Sequence, residues 1–377
     1  MFYIDNLLIK GFRNYRQQQL QFHPHLNILI GDNAQGKTNL LESIYYLSVT
    51  RSFRTNHDQE LAHWDERSLY LKGTFIKNGF NHVVQISYLQ NGHFKLTINN
   101  DPVNRYDHLQ QFPVVVFSPD DLQIVREGPS IRRRFINLEA SRLSPKYFKE
   151  LRAYQRVLLQ RNHLLKDKQN RRQINVLLEP WDQSLIALGS NIIRYRIEVI
   201  SDLEKEAQLF FSLMTNSQET LSLNYLSTVN YCDDLPEIPK NFHSALMTKR
   251  DQEFNRGSTA IGPHLDDFKI LINGYDARRF SSQGQKRTAA LALKMAEVHL
   301  FKRQNHEWPI ILLDDVFSEF DTDRKKHLLD FLRDNTGQCF ISTAVGLNNL
   351  VESLSREHKI FSVRQGCASD EIVRSSS

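Results

Sequence analysis

Cysteine is nearly absent from this chain: three residues, Cys232, Cys339 and Cys367, among 377. They are scattered and odd in number, which argues against a disulfide framework, and no pair has metal-ligand spacing. A reducing cytoplasm is the default compartment. No apolar run approaches the roughly 18 residues that cross a bilayer, so nothing points to a membrane. The opening stretch, MFYIDNLLIKGF, alternates like a strand and has neither the basic start nor the cleavage site of a secretory leader. Internal repeats and low-complexity tracts are also missing. What remains is an ordinary globular composition, 40% hydrophobic and 24% charged, long enough for a substantial core and two lobes.

The modest formal charge of +5 hides an asymmetry. Residues 126–172 carry 14 Lys/Arg against 4 Asp/Glu, so the remainder of the chain sums to −5. A one-sided distribution of this kind is an electrostatic footprint for a polyanion, or else a solvated basic helix face.

Strand-like runs at 2–9, 26–30 (LNILI), 69–76, 82–88, 94–98 and 113–117 fill the first third, with one helical pattern at about 38–48. From about 129 the texture becomes helical, in two patterns of some 35 residues each, too short for a long-armed coiled coil. A polar stretch at 232–242 follows, then a strand-like 267–272 with the hairpin signal NGYD. The runs WPIILLDDVF and QCFISTA then read as buried strands. The expected organisation is an α/β head in two halves, 1–125 and 256–377, interrupted by an inserted α-helical lobe at 126–255.

Residues 31–38, GDNAQGKT, fit the phosphate-loop pattern, and a buried strand precedes them while a helix follows. Gly31 and Gly36 let the backbone wrap around phosphates. Asp32, Asn33, Ala34 and Gln35 supply the turn of N–H groups between them. Lys37 reaches the terminal phosphates as a point charge, and Thr38 offers a hydroxyl to Mg²⁺. In IILLDDVFSEFD (310–321), two carboxylates end a buried strand, where ligands bind in open α/β sheets. Asp314 is the candidate for holding Mg²⁺, and Asp315 for orienting or deprotonating the attacking water. A third element, FSSQGQKRTAALALKMAE (280–297), places small polar residues before a strong helix former, a start at which an anion can sit. Its Ser282, Gly284 and Gln285 resemble the Ser-Gly-Gly-Gln signature of ABC-type ATPases. There, one subunit's signature caps the γ-phosphate held by its partner.

These motifs, with LLIKGFRNY (7–15), SFRTNHDQEL (52–61), VFSPDDLQIVREGPSIRRRFIN (116–137) and IGPHLDDF (261–268), resemble the RecF family of SMC/Rad50-like ABC ATPases over essentially the whole length. The resemblance implies an ABC-type head with an inserted helical lobe, and an ATP-dependent homodimer that hydrolyses ATP with Mg²⁺; the shorter carboxylate of Asp315, holding water from farther away, makes slow hydrolysis the expectation. It also implies binding to single- and double-stranded DNA at gaps or junctions, and work with RecR and RecO to help RecA load. Arg132, Arg133, Arg134, Lys146 and Arg152 are the candidate DNA contacts, although three consecutive arginines on a helix cannot all face one partner. Some positions depart from the family pattern, and others from the general ABC pattern. Leu265 stands where an Arg is usual after GPH, and Phe320 replaces a Leu. Asp315 replaces the general ABC Glu, one methylene shorter, and Ser342 and Thr343 occupy the place of the switch His of ABC transporters, as they tend to in this family. Gln123 is in the region of a Q-loop. Arg13, Asn14, Arg51 and Arg54 are candidates to approach the nucleotide or are surface residues, and His264 is a metal ligand or part of a structural turn. The alternatives are an ABC ATPase coupled to a membrane transporter, and a DNA scaffold that nucleotide merely gates.

Overall fold

The computed structural model describes residues 1–89, 92–167, 171–231, 235–334, 337–344 and 357–370. Cys232 and the start of the polar 232–242 stretch lie outside them. The chain divides into two compact units: Met1–Asp121 with Leu213–Asn216 and Leu291–Ser377, and Leu122–Ser212 with Ser217–Ala290.

The first unit holds two six-stranded sheets. In one, Leu26–Ile30 lies between Cys339–Thr343 and His358–Arg364, parallel to both, and Ile28 is level with Ile341 and Ile360. Ile310–Asp314 and Val114–Phe117 continue the parallel order beyond Cys339–Thr343. Their side chains are almost wholly buried, as expected for apolar runs covered on both faces. This order sets the C-terminal ends of Leu26–Ile30 and Ile310–Asp314 one strand apart, bringing residues 31–38 near residues 314–315. Lys37–Val49 forms the helix expected after the loop.

The second sheet is antiparallel, in the order Tyr15–Gln21, Tyr3–Phe12, Ser68–Lys77, Phe80–Leu89, Phe94–Ile98, Asp101–Pro102. Leu7, Ile9, Leu71, Phe75, Val84 and Ile86 fill its inner face. The strand Tyr15–Gln21, YRQQQLQ, escapes sequence reading because four glutamines give it little β-propensity. Its ladder to Tyr3–Phe12 determines its state.

The second unit replaces the two expected helical patterns with three helices: Pro129–Leu143, Pro145–Lys166 and Arg171–Met214. The first pattern breaks at Ser144, whose side chain accepts from the Tyr147 N–H at 3.2 Å, with Pro145 at the first helical position. The last helix runs 44 residues, about 65 Å. Arg161, Asp182 and Glu253 pair within the unit, the guanidinium and Glu253 being fully buried.

The expected boundary at 255/256 is corrected. Asp267–Ile272 pairs along its length with Leu221–Leu226, and Tyr275–Asp276 completes a three-stranded sheet. Arg132 grips Asp267 bidentately at 2.8 and 2.7 Å. These ties place residues 217–290, including Ser282, Gly284 and Gln285, in the helical unit rather than the head. Among the described residues no helix is long and apolar enough to cross a membrane.

Candidate nucleotide-binding site

The loop 31–36 turns on a left-handed Gly36, at φ 119°, and on Ala34 at φ 64°. At Gly36 a Cβ would lie 2.7 Å from Asn14 Nδ2, so both space and backbone conformation require glycine. Gly31 needs glycine for a different reason. A Cβ there would lie 2.2 Å from the Val363 carbonyl oxygen on the neighbouring strand. Gly31→Ala is therefore expected to displace the loop, weakening ATP binding at least about tenfold and stability by about 1–3 kcal/mol. Nucleotide titration and thermal unfolding check this. Wild-type values in both would refute the steric account.

Two turns distant in sequence hold the loop. Asn14 Nδ2 and the Gly366 N–H both donate to the Gln35 carbonyl, at 3.0 and 2.9 Å. The Gln365 N–H donates to Gln35 Oε1 at 2.8 Å, and Tyr15 OH donates to the Gly36 carbonyl at 3.1 Å. The role of Gln365 and Gly366 carries no sequence signal, since nothing local links residue 366 to residue 35. Lys37 Nζ donates to the carbonyls of Gly31 and Asp32 at 2.5 and 2.8 Å, spanning the loop it serves. Burial lowers the pKa of this ammonium, while the charges of Asp315, Asp314 and Asp32 oppose the shift.

The Thr38 hydroxyl donates to Asp314 Oδ1 at 2.8 Å, across 276 positions of sequence. Ser342, itself buried, donates to the same oxygen at 3.0 Å and accepts from the Asp315 N–H at 2.9 Å. It thus positions both aspartates, a role its place in the family pattern did not reveal. Burial raises the Asp314 pKa, and the bonds from Thr38 and Ser342 offset part of the shift. A hydroxyl and a carboxylate side by side are hard oxygen donors of the kind Mg²⁺ takes alongside phosphate oxygens, so Thr38 and Asp314 fit that ion. Asp315 follows at φ 50°, a left-handed kink that turns the chain away from the strand direction just after Asp314.

Arg13 does not extend freely towards a nucleotide. Its guanidinium binds both carboxylate oxygens of buried Glu42 at 2.9 and 2.8 Å and the Glu60 carbonyl at 2.8 Å. Arg54 meets the same Glu42 and donates to Asn39 Oδ1 at 2.8 Å, and Asn39 donates to Asn14. This network ties the 52–55 segment to the helix behind the loop.

In the second unit, Gln283–Asn305 begins with a reciprocal cap: the Gln285 N–H donates to Ser282 Oγ at 3.2 Å and the Ser282 N–H to Gln285 Oε1 at 2.7 Å. Gln285 Nε2 also donates to Glu219 Oε1, so that amide braces the helix start locally. Ser282 is exposed.

The basic candidates separate by direction. Arg132 is buried against Asp267 and does not offer its charge to a phosphate, which corrects its assignment. Arg133 is half-buried and donates to the Asp266 carbonyl at 3.0 Å. Arg134, Lys146 and Arg152 are exposed. His264 accepts from or donates to Tyr154 OH at 2.7 Å, burial lowers its pKa to about 4, and it is part of a packed turn. Among the described residues no three His, Cys, Asp or Glu cluster as metal ligands. Gln123 and Leu265 are exposed, in the second unit.

A parallel sheet with a phosphate loop and a carboxylate hydrogen-bonded to that loop's threonine define an ABC-type ATPase head of the SMC type. Residues 3–369 match the RecF/RecN/SMC N terminal domain. The chain belongs to the RecF family. It is 38% identical to the DNA replication and repair protein RecF of Clostridium novyi (strain NT), covering 97% of this chain and 99% of that one. To RecF of Halothermothrix orenii it is 40% identical, over 97% and 98%. A solved structure described as the recombination mediator protein RecF-ATP in the RecFOR pathway is similar at TM-score 0.89 and 35% identity, over 98% of this chain and 99% of that one. An Smc head domain from Pyrococcus furiosus is similar at TM-score 0.55 and 15% identity, a likeness of fold.

Proposed function

We propose that the chain is an ATP-gated, DNA-binding ATPase of recombinational repair, two copies of which close on bound ATP. The hydrogen bond from Thr38 to Asp314 carries the reading, because it joins the phosphate loop to the carboxylate that an Mg²⁺-nucleotide site requires. Gly31 to Thr38 bind the triphosphate, and Thr38 and Asp314 hold Mg²⁺, which screens phosphate charge when bound. Asp315 orients the attacking water. Being one methylene shorter than glutamate, it holds that water from farther away and turnover is slow. Ser282, Gly284 and Gln285 of one copy cap the nucleotide of the other. The ATP-bound relative supports the cofactor. Its RecFOR pathway supports DNA gaps or junctions as the target, RecO and RecR as partners, and assistance to RecA as the outcome.

The DNA-contacting face includes Arg134, Lys146 and Arg152. Lys149 and Arg156 are exposed on the same side of Pro145–Lys166, at spacings of three and four that align them along one helix face. The test is sizing by light scattering with ATP, ADP or neither, with and without gapped DNA. Dimers in ATP alone or ATP with DNA, and monomers in ADP, are expected. A monomer at saturating ATP in both settings would overturn the proposal.

A further inference from the structure

Within the second unit, a pocket of about 190 Å³ is walled by side chains from all three long helices and from the turn at His264. Pro129–Leu143 contributes Arg133 and Asn137, Pro145–Lys166 contributes Tyr154 and Gln155, and Arg171–Met214 contributes Arg196. Among the described residues no carboxylate lines it. Tyr154 and His264 satisfy each other. His264 Nε2 faces the Thr259 carbonyl, which only accepts, so Nδ1 accepts from Tyr154 OH at 2.7 Å. With its pKa lowered to about 4 by burial, this imidazole is neutral at pH 7 and adds no charge.

The charges around the pocket do not balance. Arg196 is 1% exposed, yet it donates only to uncharged groups: Tyr147 OH at 3.1 Å, the Pro263 carbonyl at 2.6 Å and Asn137 Oδ1 at 2.8 Å. A buried guanidinium normally has a carboxylate partner. Here the buried Asp266 answers it through Tyr225, whose hydroxyl donates to Asp266 Oδ2 at 2.6 Å and also contacts Arg196. Ser227 and Thr228 occupy the rest of that carboxylate. Arg133, half-buried, donates to the Asp266 main-chain carbonyl and pairs with no carboxylate among the described residues. Asp267 is already gripped by Arg132. Two guanidinium groups and one carboxylate leave one positive charge over. Burial lowers the Arg133 pKa, and the charges of Arg196 and Arg132 act in the same direction against Asp267 and Asp266. Donors are also left over. Arginine only donates, so Asn137 must turn its oxygen to Arg196. Its Nδ2 then stands at the pocket wall with no partner among the described residues, and the Gln155 amide is exposed at the rim.

We propose that this pocket binds one small oxyanion, inorganic phosphate, held by the Arg133 guanidinium and the Asn137 amide with Arg196 behind them. The planar fork of arginine matches the paired oxygens of such an ion, and a single anion cancels the single charge left over. A duplex presents its phosphates along an outer ridge, whereas Arg196 is buried, so a free ion is the occupant that reaches it. The site shares no residue with the phosphate loop and is independent of the pairing and DNA readings above.

The experiment is thermal unfolding of the full chain in sodium phosphate or in sodium chloride of equal ionic strength. A non-hydrolysable ATP analogue with Mg²⁺ is present throughout, so that the phosphate loop is filled. With a Kd on the order of 1 mM, phosphate at about 20 mM should raise the midpoint by about 2–5 °C over chloride. Arg133→Gln should abolish that rise, whereas Arg152→Gln, outside the pocket, should keep it. Asn137→Asp places a carboxylate in the wall itself. It should raise the midpoint in chloride by a similar amount and remove the response to phosphate, a result that needs no folded Arg133 variant. Equal wild-type midpoints in the two salts overturn the inference. So does an Arg133→Gln protein that responds as wild type does, since phosphate would then act on the whole surface. An Asn137→Asp protein that keeps the full phosphate response also overturns it. A short DNA duplex that cancels the wild-type rise would make a backbone phosphate the occupant and sink the assignment to a free ion.

Discussion

Replacing Lys37 with methionine is expected to weaken ATP binding about ten- to a hundredfold and to abolish ATP-dependent pairing. Methionine keeps an unbranched apolar stem and removes only the ammonium. A charge-assisted hydrogen bond is worth about 1.5–3 kcal/mol, and each 1.4 kcal/mol is about tenfold in affinity. The ammonium is set inside the loop by the carbonyls of Gly31 and Asp32. The complementary change, Asp315→Asn, preserves shape and removes the proton acceptor. Pairing should then persist while phosphate release falls. Light scattering and a phosphate-release assay read the two variants, and Lys37→Met pairing in ATP as tightly as wild type would refute the mechanism.

The largest stability effect is expected at Arg161. Its guanidinium is fully buried and donates to Asp182 at 2.8 Å, Glu253 at 2.6 Å and the Thr259 hydroxyl at 2.7 Å. Arg161→Met fills similar volume but leaves the Glu253 carboxylate buried without its closest partner. Removing one member of a buried ion pair costs about 3–5 kcal/mol. Arg250 also touches Asp182, which softens the loss on that side. Denaturant unfolding should show the drop, whereas Arg152→Met on the exposed face should stay within about 0.5 kcal/mol. Equal effects for the two arginines would mean that the cluster does not hold the unit together.

The contrast between those arginines shows what a sequence reveals. The phosphate loop, the aspartate pair and the helix start with its small polar residues are contiguous strings whose chemistry depends on local spacing, and all three were legible. So were the buried strands around them, because unbroken apolar runs admit few other fates. Arg132, Arg133 and Arg134 are adjacent in sequence, yet a helix rotates about 100° per residue. One therefore grips Asp267, one rests on a carbonyl and one faces water. The lobe boundary was illegible for a related reason. Asp267–Ile272 reads as a strand, but only its partner, Leu221–Leu226, decides which unit owns it. The braces on the loop, Asn14 and Gly366, meet Gln35 from opposite ends of the chain, and no local pattern records such a meeting.

That last arrangement has a consequence during synthesis. The strand carrying the loop sits between Cys339–Thr343 and His358–Arg364, both of which are synthesised about 300 residues after it. A nascent or prematurely terminated polypeptide therefore possesses the nucleotide motif long before it has the walls that shape it. A fragment ending before residue 339 should therefore hold ATP more weakly than the full chain, an outcome that nucleotide titration of the two reads directly.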